Sequence, residues 1–416
     1  MPSSSRLLIR ALEGIGKPET IAEPVHPQRY THLAALAAQP PRPDADAATW
    51  RADRSAGPGK PSRLRARTVS VLVLLGGLTA GTTAGFWAGW TSRPDTPYGE
   101  SAAPAQVEQV FDVGSAATGA AFGPDGTLAV GTASGSVTVL DAHRPESRTQ
   151  LPGGDSGPIT RTVFSPEGGV LAAGSEDGTV RLWDRPTRGP EHPIAVLPMR
   201  EDGEYGGAVN DLAYSPDGRI LAVASSTSTV RIWDVSDPEN PEPLATPSRD
   251  HAVTRLAFSP RGTILAVGST DGTVQLWDIK EPDDPRIIEG GRAVTDASVT
   301  ALTFSADRKS LAVGNSRGSV QLWDVSDPRS PRKVNAARAV GYTNELSFNA
   351  PGYVLAASNS DGTVRLWEDL DDLMNPRVLT RETDQGELSS VAFATGDDEN
   401  TLVVTGTDGS VQLWKA

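Results

Sequence analysis

The feature that most constrains the fold is a short motif that recurs along the C-terminal three-quarters of the chain. Its clearest copy is residues 258–278, FSPRGTILAVGSTDGTVQLWD. Five copies open on an aromatic residue and carry a Trp 19 positions later, at Phe164/Trp183, Tyr214/Trp233, Phe258/Trp277, Phe304/Trp323 and Phe348/Trp367. Two looser copies run from Phe122 to Leu140 and from Phe393 to Trp414. Such a repeat predicts a fold built from seven similar units.

Within one copy the pattern predicts short antiparallel strands. In the clearest copy a first strand ends at Phe258, a Ser-Pro-Arg-Gly turn follows, and 264–267 form an apolar second strand. Asp271-Gly272 predicts a tight hairpin before a third strand that ends at Trp277, because Gly reaches positive φ without steric cost. A less regular, Pro-bounded piece supplies the fourth strand. One such sheet alone would leave an apolar face in water, so we expect the sheets to stack radially.

The spacing of the copies identifies a family resemblance. Successive Trp residues stand 50, 44, 46, 44 and 47 positions apart. In four copies Asp follows the Trp, at Trp183-Asp184, Trp233-Asp234, Trp277-Asp278 and Trp323-Asp324. Residues 107–416 therefore resemble the WD-repeat family. The resemblance implies an all-β, seven-bladed WD-repeat β-propeller that serves as a non-catalytic platform for protein partners.

The ring of seven sheets needs a closing strand. Only two residues follow Trp414, so the seventh copy has no fourth strand after it. Residues 107–113 precede the first copy, alternate apolar and polar side chains, and have the length of an edge strand. We expect 107–113 to close the ring against the strand that ends at Trp414.

The WD-repeat resemblance also assigns a role to four polar positions of the fourth copy. It implies a buried hydrogen-bond chain that involves His251, Ser269, Asp271 and Trp277. Five other copies lack the His, with Gly157, Gly207, Ala297, Gly341 and Gly386 at its place. A catalytic His-Ser-Asp set is the competing interpretation, but polar groups that satisfy one another favour a structural role.

The resemblance further places the residues that begin each first strand at the rim of a central channel. These residues are polar or charged and differ between copies, whereas the apolar positions repeat, which is typical of a recognition surface. The predicted partner-binding rim comprises Thr160, Arg161, Asn210, Asp211, Thr254, Arg255, Thr300, Asn344, Glu345, Ser389 and Ser390. The competing interpretation treats them as ordinary loop residues that vary for lack of constraint.

Charge and composition argue against several functions. Residues 91–416 contain 27 Lys and Arg against 46 Asp and Glu, so we expect no nucleic-acid partner. The chain has no Cys, and its five His show no metal-ligand spacing. We therefore predict no metal site, no cofactor and no enzymatic activity.

An uncharged segment predicts a single membrane anchor. Residues 68–90, TVSVLVLLGGLTAGTTAGFWAGW, contain 23 positions without a charge. A helix of this length spans roughly 34 Å, enough for a hydrocarbon core of about 30 Å. Arg63, Arg65 and Arg67 precede the segment and only Arg93 follows it closely, so the positive-inside rule puts the N-terminus in the cytoplasm and the propeller outside. A buried soluble helix is the alternative, although such helices are typically shorter.

Small residues form a stripe along the predicted membrane helix. Gly77, Gly81, Gly85 and Gly89 recur at every fourth position. A repeated GxxxG pattern permits close contact between two membrane helices, so a homo-oligomer is one interpretation. The other is that Gly and Ala are simply common in membrane segments.

The remaining segments complete the predicted organisation. Residues 1–67 are interpreted as a mostly disordered cytoplasmic tail with short helices, and 91–106 as a linker to the propeller. This arrangement resembles the C-terminal half of bacterial signalling proteins in which a kinase or nucleotide-hydrolysing domain precedes an anchor and a WD-repeat propeller. The leading hypothesis is a membrane-anchored scaffold or sensor in the cell membrane. The alternatives are a propeller enzyme or small-ligand sensor at the channel mouth, and a cytoplasm-facing peripheral scaffold.

Overall fold

The structure is a computed structural model that describes residues 106–142, 144–151, 157–190, 192–199, 206–338, 341–380, 386–394 and 401–415. The predicted tail, membrane helix, Gly stripe and linker, up to residue 105, lie outside these ranges. Within them, no helix combines the length and the apolar character that a membrane crossing requires.

The described residues form seven four-stranded antiparallel sheets, which we call blades. Blade 1 is β2 to β5, and blades 2 to 6 follow in groups of four strands up to β25. Blade 7 consists of β26, β27, β28 and β1. The first strands of the blades contact one another in a closed cycle, β2, β6, β10, β14, β18, β22, β26 and back to β2, so they surround a central channel. The predicted all-β, seven-bladed propeller is therefore confirmed.

The strands have the following bounds: β1 (Gln106–Asp112), β2 (Ala117–Phe122), β3 (Thr127–Thr132), β4 (Val137–Asp141), β5 (Arg144–Leu151), β6 (Ile159–Phe164), β7 (Val170–Ser175), β8 (Thr179–Asp184), β9 (Ala195–Pro198), β10 (Val209–Tyr214), β11 (Ile220–Ser225), β12 (Val230–Asp234), β13 (Glu242–Ala245), β14 (Val253–Phe258), β15 (Ile264–Ser269), β16 (Thr273–Asp278), β17 (Arg286–Val294), β18 (Val299–Phe304), β19 (Ser310–Asn315), β20 (Ser319–Asp324), β21 (Arg332–Arg338), β22 (Thr343–Phe348), β23 (Leu355–Asn359), β24 (Thr363–Trp367), β25 (Arg377–Thr380), β26 (Leu388–Phe393), β27 (Thr401–Gly406) and β28 (Ser410–Lys415). A single turn of 3-10 helix, Pro186–Arg188, lies between β8 and β9.

Blade 7 joins the two ends of the repeat region. Strand β1 lies antiparallel to β28, with Val107 opposite Trp414 and Phe111 opposite Val411. Val107 packs against the core cluster that contains Trp414, and Phe111 packs against the cluster that joins blade 7 to blade 1. The strand expected at 107–113 is thus β1, and it supplies the fourth strand of the last blade.

The core lies between blades. One cluster combines Val180 and Leu182 of blade 2 with Val209, Leu221 and Trp233 of blade 3. Each of the other six clusters likewise combines side chains of two adjacent blades. Burial of a large apolar side chain contributes about 1.5–3 kcal/mol, so each blade depends on both neighbours for stability.

Glycines in the second strands let the blades approach closely. A methyl group on Gly174 would lie 2.4 Å from Cγ1 of Val209 in the next blade. The same substitution at Gly268 would meet Val299 at 2.7 Å, and at Gly131 would meet Ile159 at 2.6 Å. The Gly in this position of the repeat therefore makes room for the first strand of the following blade.

Candidate functional site

Each innermost strand carries a β-bulge just after its first residue. In all seven blades the register with the second strand shifts between the first and the third residue, as between Ile159 and Arg161 in blade 2 and between Val209 and Asp211 in blade 3. A bulge re-aims the side chains beside it. The seven bulges therefore define two rings of residues around the channel, at the second and the third positions of the strands.

The third positions form a mixed ring at the channel. In blade order they are Gly119, Arg161, Asp211, Arg255, Ala301, Glu345 and Ser390. Arg161, Asp211, Glu345 and Ser390 line a cavity of about 320 Å³ together with apolar residues of the same strands, such as Leu256 and Leu302. The cavity thus has charged groups beside an apolar belt.

Arg161 is the centre of an ion-pair network. Its Nε lies 3.2 Å from Oδ1 of Asp211 in blade 3, and its guanidinium also donates to the Glu345 carboxylate in blade 6. The three side chains are only 11%, 10% and 18% exposed. One cation therefore pairs with both acids of the ring and links blade 2 to blade 6, which is not adjacent to it.

Asp211 also caps the free edge of the neighbouring strand. Its Oδ2 accepts a hydrogen bond of 2.8 Å from the backbone N–H of Leu256 in blade 4. Ser390 accepts a longer bond, 3.4 Å, from the N–H of Ala120 in blade 1. Because the innermost strands have unpaired edges, these side chains satisfy donors that would otherwise face the channel.

Side chains at the second positions form hydrogen bonds with backbone carbonyls of the blades. Thr160 Oγ1 donates to the carbonyl of Gly174 at 3.1 Å, and Thr254 Oγ1 donates to that of Gly268 at 3.2 Å. Asn210 reaches the next blade, with its Nδ2 2.7 Å from the Val253 carbonyl.

The remaining predicted rim residues are held in related ways. Asn344 donates to the Leu388 carbonyl of the next blade, and Ser389 shares a 2.7 Å hydrogen bond with Thr405. Arg255 donates to the carbonyls of Thr254, at 2.7 Å, and Asn344, at 3.4 Å. Thr300 Oγ1 is buried without a hydrogen-bond partner in the described part of the chain. The structure thus brings the predicted rim together at the channel, and most of its polar atoms are bound within the protein.

The four polar positions of the fourth repeat are only partly joined. His251 Nε2 lies 3.7 Å from Asp271 Oδ2, and the His side chain is 55% exposed. Partial burial opposes ionisation of Asp271, but hydrogen bonds from Thr273 and the charge of His251 outweigh it and lower the pKa. Ser269 Oγ and Trp277 Nε1 are buried, and neither has a hydrogen-bond partner among the described residues. Among the four positions, the described contacts therefore join only His251 and Asp271.

Blade 5 contains a related contact with the charges reversed. Arg317 stands at the place of Asp271 in the repeat, and Asp296 stands on the facing loop. Arg317 donates to the Asp296 carbonyl at 2.9 Å and lies 3.7 Å from its carboxylate. Asn315 Nδ2 also donates to Asp296, at 2.7 Å. Alignment of the copies identifies only half of this pair, because Arg317 stands at the place of Asp271 whereas Asp296 lies one residue before Ala297, the counterpart of His251.

The described residues contain no group of three or more His, Cys, Asp or Glu that could hold a metal ion. The polar groups near the channel are bound chiefly to Arg161 and to backbone atoms, as described above. This arrangement favours a structural role for the channel network over the binding of a small ligand.

The fold and the bulged rings define the class: a seven-bladed β-propeller with an internally paired channel. Two families match the sequence. The WD domain, G-beta repeat matches residues 146–184 and 198–234, and the Nucleolar protein 10-like, N-terminal domain matches residues 241–412. The chain therefore carries WD40 repeats, and its described part is a WD-repeat propeller. A search among curated proteins found no match. Neither family match extends to residues 1–145, so the resemblance to anchored bacterial signalling proteins stays a prediction.

Proposed function

We propose that this protein is a membrane-anchored scaffold or sensor whose propeller binds protein partners through its loops and performs no catalysis. One observation carries the proposal: Arg161 binds both Asp211 and Glu345, the two acids of the channel ring. A catalytic or ligand-binding acid must be available to a substrate, whereas these two hold the ring together. The surface open to partners is then that of the loops, which is how a constant scaffold commonly presents variable residues.

Membrane anchoring rests on the sequence of residues 68–90. This segment has no charge, and Arg63, Arg65 and Arg67 flank its N-terminal side. Both features support a single span with the N-terminus in the cytoplasm and the propeller on the other face of the cell membrane. The stripe Gly77, Gly81, Gly85 and Gly89 supports self-association of this helix.

Protease accessibility tests the proposed topology. Intact cells that express the full chain are treated with a protease that cannot cross the membrane, and the propeller is followed with an antibody. We expect degradation in intact cells and the same fragments after lysis. Replacement of Arg63, Arg65 and Arg67 by Asn is the matched variant, because it removes the charge bias and should give a mixed orientation. A propeller degraded only after lysis contradicts the proposed sidedness.

Self-association of the anchor has its own test. Gly81→Ile with Gly85→Ile places bulky side chains in the stripe and should shift the full chain in micelles toward the monomer. Gly77→Ala is the milder comparison. An unchanged oligomeric state in the double variant contradicts association through the stripe.

A further inference from the structure

One end of blade 5 carries a cluster of four exposed cations. Arg308 and Lys309 belong to the turn between β18 and β19, and Arg329 and Lys333 belong to the connection between β20 and β21 and the strand that follows it. All four residues are exposed. We call these four residues the basic corner.

Backbone pairing brings the turn and the connection together. The N–H of Val325 donates to the carbonyl of Lys309 at 2.7 Å. Ser310, Asp324 and Arg332 stand in register on three neighbouring strands. Neighbouring strands lie about 4.8 Å apart, so the two segments project from the same end of the blade within roughly 10 Å.

The carboxylates beside the basic corner are already bound. Asp324 forms a 2.8 Å ion pair with Arg332. Asp307 accepts hydrogen bonds from the Ser305 hydroxyl and from the Lys309 N–H. Asp327 accepts a 3.0 Å bond from the Arg329 N–H.

The cations themselves are largely unpaired. In the described part of the chain no ion pair involves the side chains of Arg308, Arg329 or Lys333. The Lys309 ammonium acts on Asp307 through its charge and forms no ion pair within 4.0 Å among the described residues. These side chains are therefore available to an external anion.

Blade 5 has an excess of cations at this end, whereas blade 3 has an excess of acids at the equivalent residues. The turn and connection of blade 5, residues 305–309 and 324–333, hold five cations and three acids. The equivalent residues of blade 3, 215–219 and 234–243, hold one cation and five acids. At the place of Arg329, blades 3, 4 and 6 have Glu239, Asp283 and Met374. The positive charge is thus a local departure from the repeat.

Arg308 also occupies a backbone position that suits Gly. Its φ is +69°, and Gly126, Gly168, Gly218, Gly262 and Gly352 occupy this position in the other described turns. Side chains other than that of Gly are disfavoured in this conformation. A charged residue in a strained position is a reason to look for a function there.

We propose that the basic corner docks a short acidic segment of a protein partner. This inference deepens the proposed function and rests on it, because it assigns one surface of the platform to one kind of partner. Complementary charge supplies recognition and speeds encounter. A short segment is favoured over nucleic acid or an anionic membrane, since residues 91–416 have an excess of acids that repels extended polyanions.

The test uses the full chain in detergent micelles and a fluorescent oligo-glutamate peptide, with binding followed by anisotropy at low and at physiological ionic strength. The test variant is Arg329→Asp with Lys333→Ile, which places the blade 4 residues Asp283 and Ile287 in the equivalent positions of blade 5. The control is Arg188→Asp with Arg219→Ile, which makes the same change in net charge on blades 2 and 3. We expect roughly tenfold weaker binding for the test variant and a change of less than about twofold for the control.

Several outcomes overturn the docking proposal. Equal loss in both variants would assign binding to net charge alone, and no loss in the test variant would place it elsewhere. Tighter binding of phosphatidylglycerol vesicles or single-stranded DNA through the same residues would replace the acidic protein segment by a membrane or a nucleic acid. Absence of peptide binding by the unmodified chain also overturns the docking proposal, and it leaves the topology and the scaffold role to the protease experiment.

Discussion

The carboxylate of Glu345 in blade 6 binds the guanidinium of Arg161 in blade 2, across the central channel. Asp211 of blade 3 completes the pairing with a 3.2 Å contact to the same guanidinium. Blades 2 and 6 are not adjacent in the ring, so this network adds a connection through the centre. We therefore expect the polar groups of this network to contribute mainly to the stability of the ring.

We expect Arg161→Met to lower the free energy of unfolding by roughly 3 kcal/mol, because it leaves two partly buried carboxylates without their cation. Urea denaturation measures the effect. Arg286→Met is the control, since Arg286 is 77% exposed and its solvent-screened pair with Asp284 should contribute far less to stability. Equal losses in the two variants would contradict the role of the channel network.

Close packing between blades predicts that substitution of Gly174, which faces the next blade, lowers stability more than substitution of nearby Gly169. Gly174→Ala places a methyl group 2.4 Å from Val209 Cγ1, so we expect a loss of about 1–3 kcal/mol. Gly169→Ala is the control, because a methyl group there meets no atom within 4 Å. Thermal unfolding of both variants tests this, and a stable Gly174→Ala protein would show that the blades can separate slightly without cost.

Backbone strain at Ser228 predicts a stabilising substitution. Ser228 has a φ of +68° in the hairpin between β11 and β12, where Gly178 and Gly272 stand in blades 2 and 4. Ser228→Gly should raise the free energy of unfolding by about 0.5–1 kcal/mol. Gly178→Ser is the reverse control and should be destabilising. A decrease in stability for Ser228→Gly would show that the Ser228 side chain stabilises the fold by more than its strained backbone destabilises it.

The turn at Asp324 predicts a specific dependence of stability on pH. Hydrogen bonds from Ser326, together with Arg332, lower the pKa of Asp324 to about 2, from an ordinary value of 3.8. Because the folded-state pKa is lowered, the stabilisation is present above pH 4 and is lost as the pH falls toward 2.

The melting temperature of Asp324→Asn should therefore lie below that of the unmodified protein near neutral pH, and the two should converge toward pH 2. Asp283→Asn is the control, since the described residues show no hydrogen bond to that carboxylate, and it should not alter the acid limb. A gap that stays constant from pH 5 to pH 2 would contradict ionisation of Asp324 as the cause.

The sequence repeat predicts the blades, but it does not predict the ion-pair network of the channel. The period from Phe164 to Trp183 and its copies encodes strand order within each blade, because contacts there are local in sequence. The pairing of Arg161 with Glu345 joins residues 184 positions apart, and no periodicity reports on such a contact. The sequence predicts both residues as polar positions of the rim, but their ion pair depends on the geometry of the ring.

Equivalent positions of the repeat predict contacts less well where the side chains differ between copies. The His251 to Asp271 contact occurs where the WD-repeat resemblance implied it, yet the exposed His and the hydrogen bonds of Asp271 to Thr273 give it a local role. Asp296 and Arg317 perform a comparable task with reversed charge in blade 5. A sequence comparison restricted to identical residues misses this pair.

Hydrogen exchange in β1 tests the closed ring most directly. Deuterium uptake of peptides covering 106–112 and 410–415 is measured by mass spectrometry in the full chain. Because β1 forms the fourth strand of blade 7 against β28, the account predicts slow exchange in both, and faster exchange in β28 when residues 106–112 are deleted. Rapid exchange throughout β1 in the unmodified chain, with β28 fully protected, would contradict the closure.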